Sequence, residues 1–422
     1  MIIIPKRIKL CLERLNNAGF EAFVVGGCVR DSIIGRCPND WDVCTSALPH
    51  ETKLVFKEYK TIDIGMEHGT VVILFEDESI EITTYRVDGE YKDNRRPEKV
   101  EFTSKIEEDL SRRDFTINAM AYNYEKGLID FFNGRKDINE GVVRCVGNPN
   151  KRFSEDALRI MRALRFAAQL NYTIEENTLE AINQSKELLR NISSERIMME
   201  LNKLIMAENP KEMIKLLFEI DIFNIIIEFM HNFSIKVDNL NSFTENCGQI
   251  IESAPRDLSI RLCILFNFIA EAYNLIGNVK DEGKNLTVES FFRTLRYDKT
   301  TIREVGILSR YFNVEIGCEK TEIKRILNSI DLDMFKKLIL MKEATEKKFN
   351  KDRYIKLLSS IEENGECYRI KDLKINGRDL ILLGIKDGKE IGETLNTMLE
   401  LVIEKPEINN RERLFQEIKK IN

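Results

Sequence analysis

The chain has 422 residues, enough for two to four domains. Hydrophobic residues make up 43% and charged residues 32%, the balance of a soluble globular protein, and no apolar run reaches the roughly 18 residues that span a bilayer. The 64 basic and 70 acidic side chains leave a net charge of −6, which argues against non-specific coating of nucleic acid, and a count of three histidines (His50, His68, His231) excludes a His-rich metal cluster. The nine cysteines are scattered without a C-x-x-C, as expected of free thiols in a reducing, cytoplasmic setting. The opening MIIIPKRIKLCLERL carries too short an apolar stretch for a signal peptide.

The spacing predicts a first helix over 8–18, a short apolar strand Ala22–Val25, a Gly26-Gly27 turn and a second helix starting near Val29. A strand follows around Trp41 to Cys44. Val71–Phe75 and Ser79–Arg86 read as two strands of an antiparallel hairpin, joined by a polar EDE turn. From about residue 150 helical periodicity dominates, with a polar loop at 277–284 and a break near 365–374. The fold class is α+β, a mixed sheet with helices followed by an all-helical remainder. Domains are expected at 1–145, 146–210, 211–345 and 346–422.

The segment FVVGGCVRDSIIGRCPNDWDVCTS carries the first chemistry. Glycines let the backbone approach a ligand, the N–H groups of a helix start favour phosphate, and Arg30 would add charge-assisted bonds. A Gly-Gly turn alone is most often only a tight turn. Asp40 and Asp42 change its weight: i and i+2 on a strand share a face, so the two carboxylates project together while Trp41 points to the core. Adjacent carboxylates repel unless a cation sits between them. Glu81 is a third acid, on the polar side of a strand whose Ile80 and Ile82 face the other way. Three acids beside a phosphate-binding turn suit two-Mg²⁺ nucleotidyl transfer, oxygen-only donors preferring Mg²⁺ to Zn²⁺.

GG-x-VRD followed by D-x-D resembles the catalytic motif of the polymerase-β nucleotidyltransferase superfamily. The chain is similar to its class II tRNA branch, the CCA-adding enzymes and bacterial poly(A) polymerases. EITTYR (81–86) matches the strand of the third acid. LSRRDFTINAMAY (110–122) resembles the ribose-binding motif, placing Arg113, Asp114 and Asn118 at nucleotide-binding positions beside Gly26, Gly27 and Arg30. FNGRKDINEGVVRCVGNPNKRFSEDALRIMRALRF (132–166) resembles the passage from a catalytic head to a neck. The resemblance implies a head at 1–145, a base-reading neck at 146–210, a helical body at 211–345 and a tRNA-anchoring tail at 346–422. It implies Asp40 and Asp42 as metal-holding catalytic residues assisted by Glu81, with Mg²⁺ as cofactor. The implied partners are the tRNA 3′ end, CTP and ATP, with no membrane and no stable protein partner.

Ser154 reads as the N-cap of a helix containing Asp156 and Arg159, which share a face at i, i+3. An ordinary surface ion pair is the bland reading. An ionised Asp only accepts hydrogen bonds and an Arg only donates. Cytosine and adenine both present an amino donor beside an acceptor, whereas guanine and uracil present a carbonyl beside a ring N–H. In the resembled family an E-D-x-x-R motif selects CTP and ATP in this way without a template. Arg162 and Arg165 match family positions near the triphosphate, with tRNA phosphates or solvent as the alternative. Residues 151–170 carry five basic and two acidic side chains, a local positive charge in an acidic chain. Asn191–Ile205 reads as a structural helix with Ile197, Leu201 and Leu204 in its core stripe.

Within the family, the uninterrupted segment 85–102 favours an enzyme able to add A over a CC-only enzyme. Residues 351–422 balance 14 basic against 14 acidic side chains, unlike the basic tail of poly(A) polymerases. Full CCA addition is therefore expected, with A-only addition, CC-only addition or poly(A) synthesis as alternatives. Residues 229–272 resemble an HD phosphohydrolase domain, but Asn267 and Phe268 stand where its His-Asp doublet would fall, which disfavours hydrolysis. A non-catalytic RNA-binding relative is disfavoured by Asp40, Asp42 and Glu81.

Overall fold

The computed structural model describes residues 2–63, 68–76, 78–89, 100–231, 240–272 and 287–421. The polar loop expected at 277–284, and most of the segment 85–102, lie outside the described residues. The chain forms two compact units, 1–248 and 249–422. The expected head and neck fall in the first and the tail in the second, while the expected body is divided between them.

The first unit begins with α1 (Lys6–Asn17), β1 (Ala22–Val25), α2 (Gly27–Ile33), β2 (Asp42–Thr45), α3 (Pro49–Val55), β3 (Lys60–Ile62), β4 (Thr70–Leu74) and β5 (Ser79–Thr84). Next come β6 (Arg86–Asp88), β7 (Val100–Phe102), α4 (Ile106–Ser111), β8 (Ala121–Asn123) and β9 (Gly127–Ile129). Seven strands form one sheet in the order β3-β4-β5-β2-β1-β8-β9, and only β2 and β5 run parallel. The expected hairpin is β4–β5, paired antiparallel with Ile73 opposite Ile80. The expected strand 79–86 instead breaks at Tyr85, and β6 leaves to pair with β7 as a separate ribbon. Tyr85 is itself drawn into the core with Phe23, Val25, Cys44, Ile106, Leu110 and Ala121. Burying each large apolar side chain of this kind contributes roughly 1.5–3 kcal/mol, enough to redirect a strand end.

The unit continues with α5 (Gly134–Glu140), β10 (Val142–Val143), α6 (Pro149–Glu155), α7 (Leu158–Leu170), β11 (Thr173–Ile174), α8 (Glu176–Ser185), α9 (Ser194–Ile205), α10 (Lys211–Glu219) and α11 (Ile222–His231). Helix α7 packs along α9 and α10. Ile197, Leu201 and Leu204 of α9 are buried, as the core stripe requires.

Helix α12 (Leu240–Ser253) carries the chain from one unit into the next. The second unit contains α13 (Leu258–Ala272), α14 (Val288–Thr294), α15 (Lys299–Tyr311), α16 (Lys320–Ser329), α17 (Leu332–Thr345), α18 (Lys351–Glu363), α19 (Gly377–Leu382), α20 (Gly388–Glu404) and α21 (Arg411–Ile421). Helix α13 is buried nearly all round, including Asn267 and Phe268, and packs on α15 and α17. Two buried lysines are paired rather than stranded. Lys324 donates to the Ile403 carbonyl at 2.7 Å and pairs with Glu366 at 3.1 Å, and Lys342 donates to the Phe312 carbonyl at 2.9 Å and pairs with Glu346. An unpaired ammonium at such depth would cost several kcal/mol. Among the described residues no helix is long and apolar enough to cross a membrane.

Candidate active site

Strand register assembles the site. Val25, at the end of β1, lies opposite Asp42, the first residue of β2, so the Gly26-Gly27 turn and the Asp40/Asp42 pair emerge together at one end of these two central strands. Gly26 has φ +81°, and its N–H donates to the Met120 carbonyl at 3.1 Å. The positive φ requires glycine, and a Cβ there would stand 2.9 Å from an Arg113 guanidinium nitrogen, so that side chain would have to shift. Helix α2 begins at Gly27, two residues earlier than the sequence spacing predicts, because the turn itself opens the helix.

A cavity of 400 Å³ gathers Gly26, Gly27, Arg30, Asp40, Asp42, Arg113, Asp114, Asn118, Arg162 and Arg165. These ten are expected site residues. Glu81, Asp156 and Arg159 are not among the residues lining it. Glu81 nevertheless follows from the sheet. Val43 of β2 pairs with Ile82 of parallel β5, which sets the preceding residues, Asp42 and Glu81, side by side. Both are exposed, as alternation predicts. Trp41 does not enter the core. It is only half-buried, because β2 starts after it at Asp42 and the 38–41 approach is irregular.

The cations are held by named partners. Arg30 is buried, donates to Asn118 Oδ1 at 2.5 Å and pairs with Asp31 at 2.8 Å. Asn118 in turn donates to Asp114 Oδ1 at 3.1 Å, and the other Asp114 oxygen accepts Arg162 Nε at 2.7 Å. Burial alone would raise the Asp114 carboxyl, but Arg162 and the Asn118 amide outweigh it and hold it down at about 2. Arg165 pairs with buried Glu200 at 3.1 Å, and desolvation lowers its guanidinium to about 10. Arg113 reaches Asp109 at 3.4 Å. Asp109 is fully buried, and although burial pushes it up, Arg112 and Arg113 hold it ionised below its ordinary value. Asp42 keeps contact with solvent at the mouth while protein crowds its other sides. That desolvation raises its carboxyl, Arg113 opposes the rise, and Asp40 adds to it.

Phe166 is the residue the motif reading missed. Its ring lies under three guanidiniums, with Arg165 at 4.0 Å, Arg30 at 5.0 Å and Arg162 at 5.4 Å from the centroid. An aromatic face lets like charges approach one another at reduced cost. Its position directly after Arg165 was the available signal.

The E-D-x-x-R segment departs from expectation. Ser154 is not an N-cap. It sits in the last turn of α6, whose cap is Asn148, and its hydroxyl donates to the Lys151 carbonyl at 2.8 Å. The helix breaks at Asp156, which has extended backbone and accepts the Leu158 N–H at 3.1 Å to start α7. Asp156 and Arg159 are therefore not one turn apart on a single helix face. Asp156 pairs with Arg196 at 2.9 Å, and Arg159 with Glu155 at 2.7 Å, while Arg159 also donates to the Arg112 carbonyl at 3.1 Å. The excess of positive charge over 151–170 is compensated in three dimensions, since Arg162 and Arg165 find Asp114 and Glu200 on other elements.

The comparisons with known proteins agree along the chain. Residues 22–144 match the poly A polymerase head domain, 171–234 a probable RNA and SrmB-binding site of polymerase A, and 279–418 a putative tRNA nucleotidyltransferase domain 2. The CCA-adding enzyme of Ligilactobacillus salivarius is 36% identical over 99% of this chain and 98% of its own length. That of Bacillus subtilis is 33% identical over 93% of this chain and 92% of its own. The crystal structure of the Bacillus stearothermophilus CCA-adding enzyme in complex with CTP superposes with a TM-score of 0.79 at 28% identity, covering 100% of this chain and 98% of that one. With this sheet, this cavity and near full-length relatives of one kind, the chain belongs to the class II CCA-adding enzymes, nucleotidyltransferases built on a poly A polymerase head.

Proposed function

We propose that this chain extends the tRNA 3′ end with C, C and A, taking CTP and ATP without a nucleic-acid template. The observation that carries the reading is the cavity in which Arg30, Arg113, Arg162 and Arg165 stand beside Asp40 and Asp42 at a Gly-Gly turn. Cations on one side suit a triphosphate, and acids on the other suit a divalent cation. Structures of CCA-adding enzymes bound to CTP, to ATP and to tRNA are consistent with it.

The family typically uses a divalent metal. Asp40 and Asp42 fit one, because they supply neighbouring oxygen donors, and burial together with the Asp40 charge raises the Asp42 carboxyl, which a cation would offset. They would hold Mg²⁺, with Glu81 assisting from the adjoining strand. When bound, the metal neutralises triphosphate charge and favours ionisation of the attacking hydroxyl. Arg30 and Arg162 bind phosphate oxygens, Gly26 and Gly27 let the backbone approach them, and Asp114 with Asn118 fixes both guanidiniums. Arg113, whose Nε has no hydrogen-bond partner among the described residues, donates near the ribose.

Asp156 and Arg159 read the base, the carboxylate accepting the amino group of C or A and the guanidinium donating to the neighbouring ring acceptor. G or U would leave buried groups unpaired at roughly 1–3 kcal/mol each. Since Asp156 is held by Arg196 and Arg159 by Glu155, base reading exchanges these partners for the nucleotide's edge. Head, neck, body and tail at 1–145, 146–210, 211–345 and 346–422 divide the work as catalysis, base reading, support and tRNA anchoring.

The test is incorporation of each NTP into tRNA ending before CCA, after C, and after CC. The reading requires C, C and A in that order. Addition of A alone, of C alone, or of long A tracts refutes it in favour of the corresponding relative.

A further inference from the structure

The second unit contains a cavity of 1010 Å³ that the catalytic reading does not use. Five cations line it, Arg293, Arg296, Lys299, Arg303 and Arg310, against one acid, Glu289. In a chain of net charge −6 this is not an average sample of surface. The two other acids of this stretch are turned to structural tasks. Asp298 caps α15 by accepting the Thr300 and Thr301 N–H groups at 2.9 and 3.0 Å, and Glu304 takes Lys337 and the Ser259 hydroxyl. Arg293 is matched by Glu289 at 2.6 Å and Arg303 by Asp331 at 3.1 Å. Lys299 and Arg310 have no carboxylate partner among the described residues.

Helical geometry aligns this charge. Lys299, Arg303, Gly306 and Arg310 follow at i, i+4, i+7 and i+11, one face of α15 about 16 Å long. Gly306 leaves the middle of that face open, since a Cβ there would meet only Val288 Cγ1, at 3.9 Å. The floor is polar. Asn267 donates to the Ser309 hydroxyl at 3.0 Å, and both line the cavity with Phe266 and Tyr297, whose rings are themselves almost wholly buried. Cations on the rim with an amide and a hydroxyl below are the components that hold phosphate groups. A single carboxylate excludes the opposite reading, a metal site.

We propose that this cavity is a second phosphate-binding site, separate from the catalytic one, which takes the phosphate groups of a nucleotide or of a nucleic-acid strand. The phosphates belong to a free nucleotide or to an RNA strand, and the experiment separates these sources. The full chain, the double variant Lys299→Glu/Arg310→Glu and the variant Gly306→Leu are titrated with inorganic tripolyphosphate by calorimetry. The same proteins are titrated with a 12-nucleotide oligouridylate across a salt series. If the site holds an RNA strand, the double variant binds the oligonucleotide at least tenfold more weakly and its log–log salt slope falls by about two. If it holds a free nucleotide, wild type binds two tripolyphosphates and both variants bind one, with oligonucleotide binding unchanged. Equal binding of both probes by wild type and both variants overturns the proposal. The variant side chains are exposed or enter open space, and a thermal melt checks that each protein is folded. Nucleotidyl transfer is assayed in parallel, so a failure of the catalytic reading registers separately.

Discussion

Replacing Asp114 by Asn tests how the site is held together. The substitution keeps the shape and removes the charge that two cavity cations depend on, Arg162 directly at 2.7 Å and Arg30 through Asn118. The Asp114 carboxyl lies at about 2 against an ordinary value of 3.8. A displacement of that size, at about 1.4 kcal/mol per unit, corresponds to about 2 kcal/mol of stability at neutral pH. Because the folded value is depressed, the stabilisation is fully present above pH 3.8 and is lost as pH falls through 2. Urea titration at pH 7 should therefore show Asp114→Asn less stable by about 2 kcal/mol, and at pH 3 by about half as much. Activity should fall mainly through a higher KM for both CTP and ATP, since two phosphate-binding side chains lose their anchor. A loss below about 0.5 kcal/mol at pH 7, or one that does not shrink at pH 3, would refute the assignment of Asp114 as the charge that organises the cavity.

Asp42→Ala should abolish transfer of every nucleotide, a loss of at least about a thousandfold, measured by single-turnover extension of tRNA; substantial residual activity would rule out the carboxylate pair as metal ligands. Asp156→Ala should raise incorporation of UTP and GTP relative to CTP, and it also strands Arg196, so a modest stability loss should accompany it; unchanged selectivity would remove Asp156 from base reading. Gly26→Ala should cost about 1–3 kcal/mol through its positive φ and weaken triphosphate binding by displacing the Arg113 guanidinium; wild-type melting and KM would show that the turn tolerates a side chain.

The local pattern of the chain already determined much of this protein. Strand Ala22–Val25 follows from a short apolar run, and the β4–β5 hairpin and the outward face of Glu81 from apolar alternation, because a period of two is imposed by the pleat itself. The Gly-Gly turn, the Asp40/Asp42 pair and the arginines at 113, 162 and 165 were legible because residue type and spacing fix their chemistry wherever they are placed. Pairing between distant segments was not legible. That Arg162 answers to Asp114, Arg165 to Glu200 and Asp156 to Arg196 depends on which helices pack together, and sequence separation says nothing of that. For the same reason Trp41 stays out of the core it was expected to enter, and the strand expected to reach Arg86 ends before Tyr85. Alternation tells which side of a strand a residue faces, but only the packed sheet decides where the strand begins or ends. Sequence thus determined which groups could do chemistry, and tertiary structure decided which charges neutralise one another and which are left facing a ligand. Electrostatic energy depends on distance and burial in space, not on position along the chain.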